Sequence, residues 1–317
     1  TGVQTCALPI SPCALSKRLV VLVPPHLTVE ALEQRRREYP GAELRRIRFG
    51  TADRYAGHMS TLLQIDSNDT AYQRWMDRTA ARLGDKATSE EMHAAVTEAY
   101  RKKQLDAGTV GRLRQAIDEA GYWLASGDEA KRSIWSSLDD AAVLVDLRAA
   151  NMTLREALGA TMMLLASLSM RRGANGEQLA AVAVLDELGK IIAAGGLSPA
   201  FVTLLNELRH RLLWLLISCQ LPSELPEKIL GLCNGIFAGR TESEAGHRTL
   251  CAAKPGYQEV SRETLARLPP GTFATCFGDA SDKALAGRAF LLKVRDTCAM
   301  PGGQTRSATS EDGDSAE

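Results

Sequence analysis

Two adjacent carboxylates stand at the end of an apolar run. Residues 180–187 read AAVAVLDE, so a strand of Ala, Val and Leu delivers Asp186 and Glu187 at its C-terminal edge. Open α/β sheets bind their ligands at that edge. Such a pair suits metal-assisted phosphoryl transfer, with the Asp holding a magnesium ion through water and the Glu orienting or deprotonating the attacking water. An ordinary solvated strand end offers the same two residues. A second apolar run, 212–218 (LLWLLIS), leads into Cys219 and Gln220. The 33 residues from Glu187 to Gln220 leave room for one helix and one crossover between parallel neighbours. Gln220 is then expected to face the same site, where it can sense a γ-phosphate or hold the lytic water. Capping its own strand is the plainer role. Arg209 and Arg211 precede this run. A guanidinium there can reach toward a nucleotide on a neighbouring subunit, or it can complement the dipole at a helix C-terminus.

Other chemistries find no support. The chain has no G-x-S-x-G elbow and no G-x-G-x-x-G turn. His26, His58, His93, His210 and His247 never take the H-E-x-x-H spacing of a zinc hydrolase. The seven cysteines include no C-x-x-C pair, which disfavours a metal site, and a disulfide framework is implausible at this size. They suggest a reducing, cytoplasmic setting. Asp139-Asp140 and Asp146 read as a loop and a strand end. No G-x-x-x-x-G-K-[ST] phosphate loop occurs. Gly189-Lys190 is not one, because it follows the carboxylate pair and lacks the preceding glycine.

The elements that must position these residues alternate. Continuous apolar runs at 19–23, 141–147, 180–185 and 212–218, with a shorter one at 235–239, read as buried strands. A shorter strand is expected over 45–49. Helices are expected from Thr28 to Glu38, over 153–170, over 199–209 and near 242–251. Strands alternating with helices imply βαβ units and a mostly parallel sheet. The runs 272–277 and 289–294 are expected to form a terminal antiparallel pair. Between 53 and 137 the chain is charged and helical in period, including 71–83 and 90–105, with Gly84, Gly108, Gly121 and Ser126-Gly127 as punctuation. The expected organisation is 12–52 as the first strands of a core, 53–137 as a helical subdomain, 138–298 as the main core, and 299–317 as a disordered tail.

Composition sets limits. Apolar residues make up 45% and charged residues 24%, enough to bury a real core. Basic and acidic residues balance at 38 each, so charge gives no support for non-specific nucleic-acid binding, although a ring can hold DNA with a few pore residues. Aromatics at 5% argue against a base-stacking sheet. The longest apolar run, 158–170, is shorter than the roughly 20 residues of a membrane span.

Residues 1–11 (TGVQTCALPIS) resemble the translation of a sequencing adapter and lack the logic of a signal peptide. The expectation is that the natural chain extends upstream of Pro12.

The order of motifs from about 141 to 294 resembles the HerA/FtsK superfamily of P-loop motor ATPases. It runs Asp186-Glu187 as a Walker B pair, a helix ending in basic residues at Arg209, an apolar strand ending in Gln220 with Pro222 after it, and a short strand ending near Arg240. The segment LPPGTFATCF (268–277) resembles the late turn of that superfamily. The resemblance implies a RecA-like α/β fold and a hexameric ATPase that moves double-stranded DNA using ATP and Mg2+. By it, Asp186 binds the metal through water, Glu187, Gln220 and Arg209 are catalytic, and Arg240 joins Asp186 in nucleotide binding. It also implies that the phosphate loop lies upstream and that this chain alone binds ATP poorly. Three readings stand: a HerA-like helicase or translocase with a partner such as a nuclease; a conjugation or secretion coupling ATPase with a channel partner and a membrane anchor upstream; and a non-catalytic α/β assembly protein.

Overall fold

The computed structural model describes residues 18–53, 75, 79, 88–139, 141–150, 152–173, 175–195, 199–208, 210–279, 283 and 285–294. The 1–11 segment, the 299–317 tail, Arg209, His58 and most of the helix expected over 71–83 lie outside them.

The chain is α/β, with parallel strands joined through helices and an antiparallel group at the end. β1 (Arg18–Val23) is central to the first group and pairs in parallel with β2 (Glu43–Arg46) and β3 (Ala141–Val145). Val20 to Val23 are fully buried, which is why the run carries no polar alternation. Thr28 caps α1 (Val29–Glu38) by accepting a hydrogen bond from Ala31 N at 3.2 Å. β2 begins two residues earlier than its apolar content suggests. Ile47 and Phe49 are buried, but they pack after the chain has left the ladder, and Phe49 bridges to Leu124.

Two helices follow, α2 (Ser89–Arg101) and α3 (Ala107–Gly121). Thr88 and Glu91 form a reciprocal capping box at the start of α2. The break between the helices is not at Gly108. Lys103 takes a left-handed φ of 56°, and Asp106 caps the next helix through Thr109 N at 2.9 Å. Gly108 therefore lies in the first turn of α3. Both helices share a core with β1: Val96, Leu113 and Ile117 pack with Val20, Leu22 and Trp123.

α4 (Leu154–Ser169) explains the longest apolar run. One side of it, with Ala160, Met163 and Leu164, completes the core around β1. The other side, with Leu158, Met162 and Leu165, enters a second core built on the next strand pair. A helix buried on both sides needs no polar stripe. Among the described residues no helix is long and apolar enough to cross a membrane.

That next pair is β4 (Ala181–Leu185) and β5 (Leu213–Ile217), parallel and in register from Ala181↔Leu213 to Leu185↔Ile217. α5 (Leu188–Gly195) and α6 (Pro199–Leu208) connect them. The inward face, with Ala183, Leu185, Leu215 and Ile217, packs on Leu188, Ile192 and Phe201. The outward face is also apolar but open: Val182, Val184 and Leu216 are exposed, and Trp214 is 75% exposed.

α7 (Glu227–Leu232) leads to β6 (Gly235–Ala238). β6 is not a further parallel strand. It pairs antiparallel with β7 (Thr272–Phe277), which pairs antiparallel with β8 (Ala289–Lys293), so the expected terminal pair is a trio. α8 (Glu244–Ala253) and α9 (Arg262–Ala266) cover it. Gly271 makes the turn into β7 with a φ of 74°, a conformation that favours glycine. The Tyr257 hydroxyl lies 2.7 Å from Ile236 O and 3.0 Å from Ala274 O, tying the covering segment to β6 and β7. Burial pushes that phenol well above its usual range.

One buried charge network fixes the first group. Asp146, just past β3, is fully buried. Its carboxylate meets Arg35 Nε at 2.8 Å and Arg148 Nη2 at 2.6 Å, and Tyr39 donates to it at 3.2 Å. Arg35 donates to Arg148 O at 2.9 Å, and Arg148 also reaches Glu38 at 2.7 Å. Burial works to raise the Asp146 pKa. Hydrogen bonds from the Arg148 side chain and backbone, with the charges of Arg148 and Arg35, outweigh it and hold the carboxyl below its ordinary value. Asp146 is thus a clamp between α1 and β3.

Candidate active site

The parallel register of β4 and β5 brings the chemistry together. Since Leu185 sits beside Ile217, the next residues out, Asp186 and Ser218, are also neighbours. The Ser218 hydroxyl donates to Asp186 Oδ1. Ser218 Oγ in turn accepts from Glu187 N at 3.3 Å, while Ser218 O accepts from Leu188 N at 3.2 Å. These bonds accompany an unusual backbone: Glu187 has a φ of 53°, in the left-handed region that non-glycine residues rarely occupy. Single residues of this kind cluster at functional sites.

That turn aims the Glu187 carboxylate across to β5. Gln220 Nε2 donates to Glu187 Oε1 at 2.6 Å. Lys190, in the first turn of α5, donates to Glu187 Oε2 at 2.7 Å. Asp186, by contrast, is exposed. Gly189 allows the start of α5 to approach the 222–224 turn, because a Cβ there would come within 2.8 Å of Glu224 Cβ.

Three of the residues singled out from sequence therefore converge: Asp186, Glu187 and Gln220. Arg240 does not join them. It is exposed just past β6, and among the described residues it makes no hydrogen bond or ion pair to this group. Arg211 is tied locally, with Nη2 2.7 Å from Glu207 and Nη1 3.4 Å from Ser169 Oγ. Ser218 and Lys190 were not singled out. Ser218 was within reach by counting, since it lies the same 32 residues from Asp186 as Ile217 does from Leu185. Lys190 was not, because its contact depends on the left-handed turn at Glu187.

The donor set fits a magnesium ion held largely by water. Asp186 offers an exposed carboxylate with a hydroxyl on one oxygen. Among the described residues no group of three or more His, Cys, Asp or Glu could hold a metal. Magnesium bound through one or two carboxylates, waters and substrate phosphates needs no such cage. Among the described residues cysteine nucleophiles are disfavoured: Cys219, Cys233, Cys251 and Cys276 are free, and burial pushes each thiol above its ordinary range.

No protein-family model matches the chain, and no curated protein matches its sequence. Solved structures do share its fold. VirB4 of Thermoanaerobacter pseudethanolicus superposes with a TM-score of 0.52 and 13% identity, over 89% of this chain and 83% of that one. The plasmid coupling protein TrwB, in complex with ADP and Mg2+, gives 0.52 and 11%, over 90% of this chain and 86% of that one. The likeness is one of fold: an α/β chain with parallel strands joined through helices and an antiparallel group, as the sequence led one to expect.

Proposed function

We propose that this chain carries the hydrolysis half of an ATP-driven motor site of the HerA/FtsK type, serving a DNA translocase. The observation that carries the reading is the Asp186–Ser218 and Glu187–Gln220 pairing across β4 and β5. Asp186 and the Ser218 hydroxyl would hold Mg2+ through water, and ATP would lie across the C-terminal edge of these strands. When bound, the metal neutralises charge on the phosphates. A water oxygen attacks the γ-phosphorus, the bond to the β-phosphate oxygen breaks, and Glu187 takes the water's proton. Gln220 holds Glu187 from the neighbouring strand and can follow the γ-phosphate. Arg209, between α6 and β5, is the candidate for a guanidinium reaching a neighbouring subunit's nucleotide in a ring, and Arg240 for a second nucleotide contact.

The more specific reading, a conjugation or secretion coupling ATPase, is favoured by the likeness of fold to a plasmid coupling protein solved with ADP and Mg2+. The test is Mg2+-dependent ATP hydrolysis by the full-length gene product with and without double-stranded DNA. Turnover stimulated by DNA is expected. In a mixing experiment, Arg209→Ala subunits should regain activity when combined with subunits that keep Arg209. Absence of turnover under every condition would withdraw the motor reading and leave an assembly protein.

A further inference from the structure

Lys190 has no part in the assignment above, yet it touches the residue that matters most in it. Its ammonium donates to Glu187 Oε2 at 2.7 Å, while Gln220 donates to Oε1 at 2.6 Å. Both oxygens of the carboxylate therefore face donors from the chain itself. The Glu187 side chain is 15% exposed and that of Lys190 is 39% exposed, so the lysine is the partner closer to solvent. Gln220 approaches from the neighbouring strand, whereas Lys190 is tethered three residues away on a flexible stem.

The placement of this cation runs against local electrostatics. Lys190 lies in the first turn of α5, where the helix dipole favours anions. What compensates is the carboxylate that the left-handed turn at Glu187 brings within reach. No other acidic side chain forms an ion pair with Lys190 among the described residues.

We propose that Lys190 is a resident cation of the carboxylate pair: its ammonium holds Glu187 while no metal is bound, competes with divalent cation for the site, and leaves when the cation arrives. Lys190 is thus a positioning residue that acts through Glu187. The inference rests on the motor reading, in which Asp186 holds the metal. It goes further by making metal entry and the freeing of Glu187 one event. A lysine that withdraws as the metal enters keeps Glu187 engaged until the site is loaded.

The experiment is Mn2+ binding to this chain, followed by loss of the free-ion electron paramagnetic resonance signal, with the fold checked by circular dichroism. Removing one positive charge from beside a cation site is expected to tighten Mn2+ binding about 3-fold or more in Lys190→Met. Lys190→Arg, which keeps the charge, should bind as the wild type does, whereas a merely structural lysine would give no tightening in Lys190→Met. Asp186→Asn should abolish binding in every background. If Asp186→Asn abolishes binding but Lys190→Met leaves the affinity unchanged or weakens it, the resident-cation proposal fails and the motor reading stands. If Asp186→Asn binds Mn2+ as the wild type does, the metal assignment fails and this proposal fails with it; if no form binds it, the resident-cation proposal fails while a metal carried in on substrate phosphates is untouched.

Discussion

Glu187→Gln in the full-length protein is expected to lower ATP turnover by about 100-fold or more while leaving nucleotide binding near the wild-type level. The two side chains are nearly isosteric, and the amide oxygen can still accept the hydrogen bond that Gln220 Nε2 makes at 2.6 Å. The substitution removes the negative charge and the ability to take a proton from water. Asp186 and its bond from Ser218 are untouched, so the metal and phosphate contacts remain. Steady-state turnover and fluorescent-nucleotide binding, measured on the same preparation, separate the two effects. Turnover within a few-fold of the wild type would mean that Glu187 is an ordinary strand-end carboxylate.

The second large effect is on stability. Asp146→Ala is expected to cost about 3–5 kcal/mol, because it removes the fully buried counter-charge shared by Arg35 and Arg148, leaving the buried Arg35 only the partly exposed Glu38, and strips Tyr39 of its acceptor. Urea unfolding measures it through the midpoint, and a loss under about 1 kcal/mol would contradict the burial of the network. The pH dependence has a defined sign. The folded-state pKa of Asp146 lies below its ordinary value of 3.8. Its contribution is therefore complete above about pH 4 and is lost as pH falls through the lower folded value. Asp146→Ala should flatten the acid limb of the stability profile and leave the neutral region uniformly lower.

How much was legible depended on what each residue had to satisfy. Strands buried on both faces, such as Val20 to Val23, declare themselves by continuous apolar runs. The carboxylate pair was readable because an apolar run must end where charge begins. Direction was not: GIFA is short and apolar, and nothing in it distinguishes a parallel neighbour from the antiparallel pairing with β7. Backbone sign was hidden too. Asp106 capped α3 where Gly108 drew the eye, and Lys103 and Glu187 took left-handed conformations that their side chains do not advertise. The geometry of the candidate site was half readable for the same reason. Asp186, Glu187 and Gln220 follow from strand ends, whereas Lys190 enters through a turn whose φ the sequence does not encode.

The open face of β4 and β5 has an optical consequence. Of the four tryptophans, Trp123 and Trp135 are buried and Trp75 packs against the same core, while Trp214 stands exposed on the strand that leads to Gln220. Emission should therefore divide into a shielded population and a single red-shifted, iodide-quenchable component. Whatever comes to cover that face would turn the second component blue and protect it from iodide, so the strand carries its own reporter without any added dye.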